Sequence, residues 1–145
     1  MPRTVNVTVT ERDDRYYAST GSPWEPIIGY SRAVRVGDMI FVTGTIGLEP
    51  DGTFAPDAGS QARRALEIIV QTLRALGGLP AGVVRTRIYL TNIDDWQEVG
   101  RAHAEVFGEA RPATTLVEVA RLIEPDAKVE IEADAILRPE ITSLL

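Results

Sequence analysis

The chain has 145 residues, 44% of them hydrophobic and 25% charged, which is one ordinary soluble domain's worth of sequence and too little for two. A formal net charge of −6 excludes the basic footprint that nucleic-acid or anionic-membrane binding requires. With no cysteine, and His103 as the single histidine, disulfides, thiolate catalysis and a two-histidine metal site within one subunit are excluded as well.

In chain order, Val5 to Thr10 alternates apolar and polar residues and predicts a short strand. The charged cluster Glu11 to Arg15 and the turn-forming Ser19 to Pro23 follow, so residues 1–23 read as an arm that is ordered only where it docks. Ile28 to Val36 and Met39 to Thr43 are β-rich runs flanking Gly37-Asp38, a hairpin signal. Gly44 and Gly47 bracket the end of the second run, where glycine marks a bulge or a close backbone approach. From Ser60 to Leu76 the apolar residues Ala62, Ala65, Leu66, Ile69, Leu73 and Leu76 recur at three and four. That predicts an amphipathic helix, with Arg63, Arg64, Glu67 and Arg74 on its polar side and Gly77-Gly78 as its C-cap.

Val83 to Leu90 is a strand, and Asn92 or Asp94 caps a second helix from Trp96 to Phe107. Thr115 to Arg121 and Lys128 to Leu137 complete the strands, with residues 122–126 turning between them as if they were antiparallel neighbours. The order β-β-β-α-β-α-β-β predicts an α+β domain over residues 24–138, a six-stranded sheet backed by two helices, and a tail at 139–145. Two helices cover only one face of such a sheet. The other, expected to carry Leu116, Ile40 or Val42 beside carboxylates, would be half apolar and favour association. No run approaches the ~20 apolar residues of a membrane span and the start holds no apolar signal core, so a cytoplasmic protein with no membrane partner is expected.

Three groups of residues could carry chemistry, and each has an ordinary structural reading beside it. Tyr30 and Arg32 are either edge-strand side chains or a phenol and a guanidinium aimed at a cleft. The segment Arg111 to Val119 is either a plain connection or a set of N–H groups and hydroxyls able to hold a carboxylate or a water. Glu130, Glu132 and Asp134 share one strand face, with Glu118 on a neighbouring strand. They form a solvated face paired with Arg85 and Arg87, or include a buried carboxyl of raised pKa that can act as general acid or base. His103 reads as a partly buried, hydrogen-bonded histidine in preference to a catalytic one, Trp24 and Trp96 read as packing residues, and neither a nucleophile elbow nor a phosphate loop is present.

Taken together, Gly29-Tyr30-Ser31-Arg32-Ala33-Val34, Gly37-Asp38-Met39-Ile40-Phe41-Val42-Thr43-Gly44, Val84 to Trp96, Arg111-Pro112-Ala113-Thr114-Thr115, Val117-Glu118-Val119-Ala120 and Val129-Glu130-Ile131-Glu132-Ala133 resemble the Rid family, the YjgF-like reactive intermediate deaminases. The resemblance runs from about Gly29 to Leu137. It implies a chorismate-mutase-like fold, a mixed sheet backed by two helices, in a homotrimer that binds a small metabolite in clefts between subunits. Its best-known members hydrolyse 2-imino or enamine acids to 2-oxo acids and ammonia without a metal or cofactor. In them an arginine after Pro-Ala clamps the substrate carboxylate, a glutamate on the last strand positions water, and an early tyrosine lines the pocket.

Position by position, the tyrosine falls on Tyr30, the glutamate on Glu130 and the arginine on Thr114, which has neither the charge nor the fork of a guanidinium. Two expectations follow. One is a metabolite-binding protein, not a standard 2-imino acid deaminase, whose ligand meets Tyr30, Gly44, Thr114, Thr115 and Glu118. The other is a hydrolytic imine deaminase in which Arg32, or in second place Arg111 or Arg121, replaces the missing clamp and Glu130 positions water. The ribonuclease label of some relatives fits poorly with a charge of −6 and one histidine.

Overall fold

A computed structural model describes residues 3–137. It contains β1 (Thr8–Arg12), β2 (Arg15–Ser19), α1 (Trp24–Ile28), β3 (Ala33–Val36), β4 (Met39–Ile46), α2 (Ala58–Ala75), β5 (Val83–Leu90), α3 (Trp96–Phe107), β6 (Ala113–Glu118) and β7 (Val129–Ile136). The strands form one seven-stranded sheet in the order β1-β2-β3-β4-β7-β5-β6. Every pair is antiparallel except β5 with β6, which are parallel because α3 connects them as a crossover.

Both long helices lie on the same side. Asp57 caps α2 by accepting from the Ser60 N–H at 2.9 Å. At its other end the Gly78 and Gly77 N–H groups return to the carbonyls of Leu73 and Arg74, closing the last turn. The buried stripe of α2 includes Ala62, Ala65, Leu66, Ile69 and Leu73, and that of α3 Val99, Ala102 and Phe107. These pack on Ile40 and Val42 of β4, Ile88 and Leu90 of β5 and the alternating Val129, Ile131, Ala133 and Ala135 of β7. Period two on β7 meets period 3.6 on the helices, and the core sits between them.

Four expectations need correction. The sheet has seven strands, because residues 8–19 form a hairpin on its edge: Asp13 and Asp14 adopt φ 54° and 63°, the paired positive values that a two-residue hairpin turn demands. The run Ile28 to Val36 is not one strand. Gly29, at φ 87°, ends the short helix α1 first, a backbone state glycine reaches without strain, and β3 starts only at Ala33. Strands β6 and β7 are not neighbours. β7 fills the gap between β4 and β5 and so satisfies hydrogen-bonding groups on both of its edges.

Finally, Ile40 and Val42 face the helices, and half-buried Leu116 packs on the same core. The uncovered face instead presents Val36, Met39, Phe41, Val117 and Ile136. The tail at 139–145 lies outside the described residues. No helix of the described residues is long and apolar enough to cross a membrane.

Candidate active-site cleft

The αL turn at Gly29 reverses the chain after α1, with the Gly29 and Tyr30 N–H groups both donating to the Glu25 carbonyl. Arg32, the residue just before β3, turns inward and is only 5% exposed. Its Nη1 donates to the Gly44 carbonyl at 2.8 Å and to Thr45 Oγ1 at 3.2 Å, and its Nη2 to Tyr30 Oη at 3.3 Å. The guanidinium carbon lies 5.5 Å from the centroid of the Tyr30 ring, so the phenol and the cation form one unit.

The Gly44 carbonyl is free for Arg32 because the β4–β7 ladder breaks register between Val42 and Thr45. The missing side chain at Gly44 also makes room for Glu130: a Cβ built there would stand 2.7 Å from Glu130 Oε1. Glu130 is thereby laid over the bulge with much of its hydration removed. Burial pushes its pKa above the ordinary glutamate value, Arg32 pulls it back and Glu132 adds a smaller push upward. Its strand-mates behave differently. Glu132 and Asp134 pair with Arg87 at 3.2 and 3.5 Å, and Glu132 also accepts from Tyr89 Oη at 3.1 Å.

Tyr30, Arg32, Gly44 and Glu130 line one cleft of about 520 Å³, within the size range of small-molecule sites. Trp24, Ile28, Leu48, Ile68 and Ile123 supply much of its apolar wall. Residues Thr4 to Asn6 form another side, held to α2 by Gln71, whose Oε1 accepts from the Val5 N–H at 2.8 Å.

Three expected ligand residues stand elsewhere in the chain, because β6 is the far edge strand, two places from β7. Thr114 Oγ1 lies 2.7 Å from Thr86 Oγ1, which lies 2.8 Å from Nε2 of His103. Burial holds the pKa of His103 below its usual value. Thr115 is exposed beside Arg87, and Glu118 accepts from the Ile93 N–H at 3.0 Å, tying β6 to the turn that precedes α3. No cluster of histidine and acidic groups able to hold a metal occurs among the described residues.

One buried charged residue of the cleft escaped the sequence reading. Arg64 of α2 lines the cleft at 5% exposure, although its charge had assigned it to the polar side of the helix. The signal was its spacing, three residues after buried Gln61 and four before buried Ile68.

The model of the endoribonuclease L-PSP family matches residues 20–137. The chain belongs to this family, the Rid family. A crystal structure of a YjgF/YER057c/UK114 member from Mycobacterium tuberculosis superposes with a TM-score of 0.79 at 48% identity, covering 85% of this chain and 99% of that one. Among Rid relatives, the 2-iminobutanoate/2-iminopropanoate deaminase of Salmonella typhimurium is 34% identical over 113 residues, 75% of this chain and 88% of its own length. The 3-aminoacrylate deaminase RutC of Acinetobacter baylyi is 33% identical over 117 residues, 79% of this chain and 91% of its own. The fold is that of the YjgF/UK114 proteins: α+β, with a mixed sheet.

Proposed function

We propose that this Rid chain forms a homotrimer that binds a small metabolite in three equivalent clefts, each built on Tyr30, Arg32, Gly44 and Glu130, and that it is not a standard 2-imino acid deaminase. The observation that carries the reading is Glu130, a carboxyl lying over Gly44 in a cleft, biased by burial toward its protonated form and facing an arginine. Such a group can hold or release a proton at a bound ligand. The apolar residues on the uncovered sheet face support association, which would also bring a neighbour's β6, with Thr114 and Thr115, toward the cleft.

Against standard deamination stands Thr114. It engages Thr86 and the Pro112 carbonyl, and it has no guanidinium to clamp a carboxylate. The test is turnover of a 2-imino acid generated in situ. The wild type is expected to be inactive and Thr114→Arg to gain activity. Full wild-type activity would overturn the reading.

That outcome would favour the second reading, a hydrolytic deaminase in which Glu130 positions water and Arg32 supplies the substitute charge. Its support is the placement of Arg32 beside Glu130 together with the deaminase names of the two relatives. Arg32→Ala would then abolish turnover. Both readings need no metal or cofactor and involve neither nucleic acid nor membrane.

A further inference from the structure

Residues 3–7 form a strap that is held differently from the rest of the chain. They adopt neither helix nor strand, and no backbone–backbone hydrogen bond reaches them among the described residues. The regular ladder starts one residue on, where Thr8 of β1 pairs with Ser19 of β2. Thr4, Val5 and Asn6 nevertheless line the cleft, and side chains hold them there. The Arg3 guanidinium donates to Glu49 and to Glu67 Oε1, the latter at 2.8 Å, and the Arg3 N–H donates to Glu67 Oε2 at 2.8 Å. Gln71 accepts from the Val5 N–H at 2.8 Å and donates to the Arg3 carbonyl.

Two features make this latch easy to open. The Arg3 side chain is 52% exposed, so its ion pairs are screened by salt and compete with water. Its partner Glu49 also stands 3.9 Å from Nε of buried Arg64. Once Arg3 leaves, Glu49 is free to close on Arg64, and the lost surface pair is offset by one in the cleft wall. The strap thus has one end fixed in a sheet and the other on side chains that have an alternative partner, which is how low-stability, movable segments are built.

Resting on the reading that this cleft takes a small molecule, we propose that residues 3–7 are its gate. The strap pivots near Thr8, opens when Arg3 releases Glu49 and Glu67, and closes again as the α2-side wall of the filled cleft. The gate lies ahead of the family-matched residues 20–137, so it is an addition of the arm and not a part of the shared domain.

The chain has no cysteine, so one introduced thiol reports one place. Ile68→Cys puts it in the cleft wall, at a side chain 8% exposed and one helical turn from both Arg64 and Gln71. The probe is iodoacetamide on the intact protein. The thiol is expected to react far more slowly than in the denatured chain. Arg3→Gln should speed it about threefold, the scale of an exposed ion-pair network. Added sodium chloride should speed it in the parent and not in Arg3→Gln. Exchange of the Val5 N–H, which needs no thiol, should quicken by the same factor. Val99→Cys, fully buried on α3, should stay unreactive with and without Arg3→Gln.

Rates unchanged by Arg3→Gln and by salt would overturn the gate and leave the cleft reading intact, since labelling needs no bound metabolite. A parent thiol as reactive as in the denatured chain would overturn it equally, because nothing would then cover that wall. Faster labelling of Val99→Cys alongside Arg3→Gln would trace the effect to a loosened fold and overturn it too.

Discussion

A carboxyl lying over Gly44, stripped of much of its water, keeps its proton to higher pH than a free glutamate does. In the unfolded chain the same group ionises near 4.5. Between that value and the raised folded one, the native state holds more protons than the unfolded state, so the contribution of Glu130 to stability falls as pH rises through this window. Urea midpoints of Glu130→Gln measured from pH 4 to 7 should lack this decline, and the variant should gain on wild type toward neutrality. A parallel loss in both proteins would show that another group sets the slope. Gly44→Ala probes the same contact from below. Its Cβ would stand 2.7 Å from Oε1 and 2.8 Å from Cδ of Glu130, and the flexible end of that side chain would have to swing away. Carboxyl carbon shifts followed against pH should then show Glu130 titrating closer to 4.5, with little loss of fold.

The junction between α2 and the loop before β7 depends on one amide. Gln61 is fully buried, donates to the carbonyls of Ala55 and Asp126 at 2.8 and 3.0 Å, and accepts from the Lys128 N–H at 2.8 Å. Gln61→Leu keeps the volume and orphans all three backbone groups. It is expected to cost about 3 kcal/mol in a denaturant titration, since each buried unsatisfied group costs roughly 1–3 kcal/mol. A change near zero would show that water enters and replaces the amide.

These elements differ in how far their sequence announced them. The helices at 58–75 and 96–107 and the strand Val129–Ile136 were legible because a single face is buried and the period shows it directly. The hairpin at 8–19 was not, since its turn uses Asp13 and Asp14 in place of glycine, and its first strand is exposed on every residue. Nor was the separation of β6 from β7, because a turn at 122–126 states where the chain bends and not which strand it reaches. In the cleft, Tyr30, Arg32, Gly44 and Glu130 could be named from motifs. Arg64 was hidden by the rule that charges lie outward, which fails where a cavity replaces solvent.

At the level of the whole molecule, the sheet has one face backed by helices and one without. The uncovered side places Phe41, 42% exposed, across from Val34 on one strand and Asp134 on the other. If this face joins the subunits, Phe41→Glu sets a new carboxylate beside Asp134 in a surface that must lose water. Sedimentation is expected to show wild type near three times the 15.8 kDa chain mass and Phe41→Glu near one. A variant that still sediments as a trimer would move the interface to another face.

The position of β7 has a consequence for how the molecule is made. The last strand of the described residues lies inside the sheet, between β4 and β5. Until Val129–Ile136 leaves the ribosome, the first four strands and the β5–β6 pair are separate ribbons with bare edges facing a gap. Glu130 travels on that same closing strand, so the cleft cannot acquire its buried carboxyl before the sheet is joined.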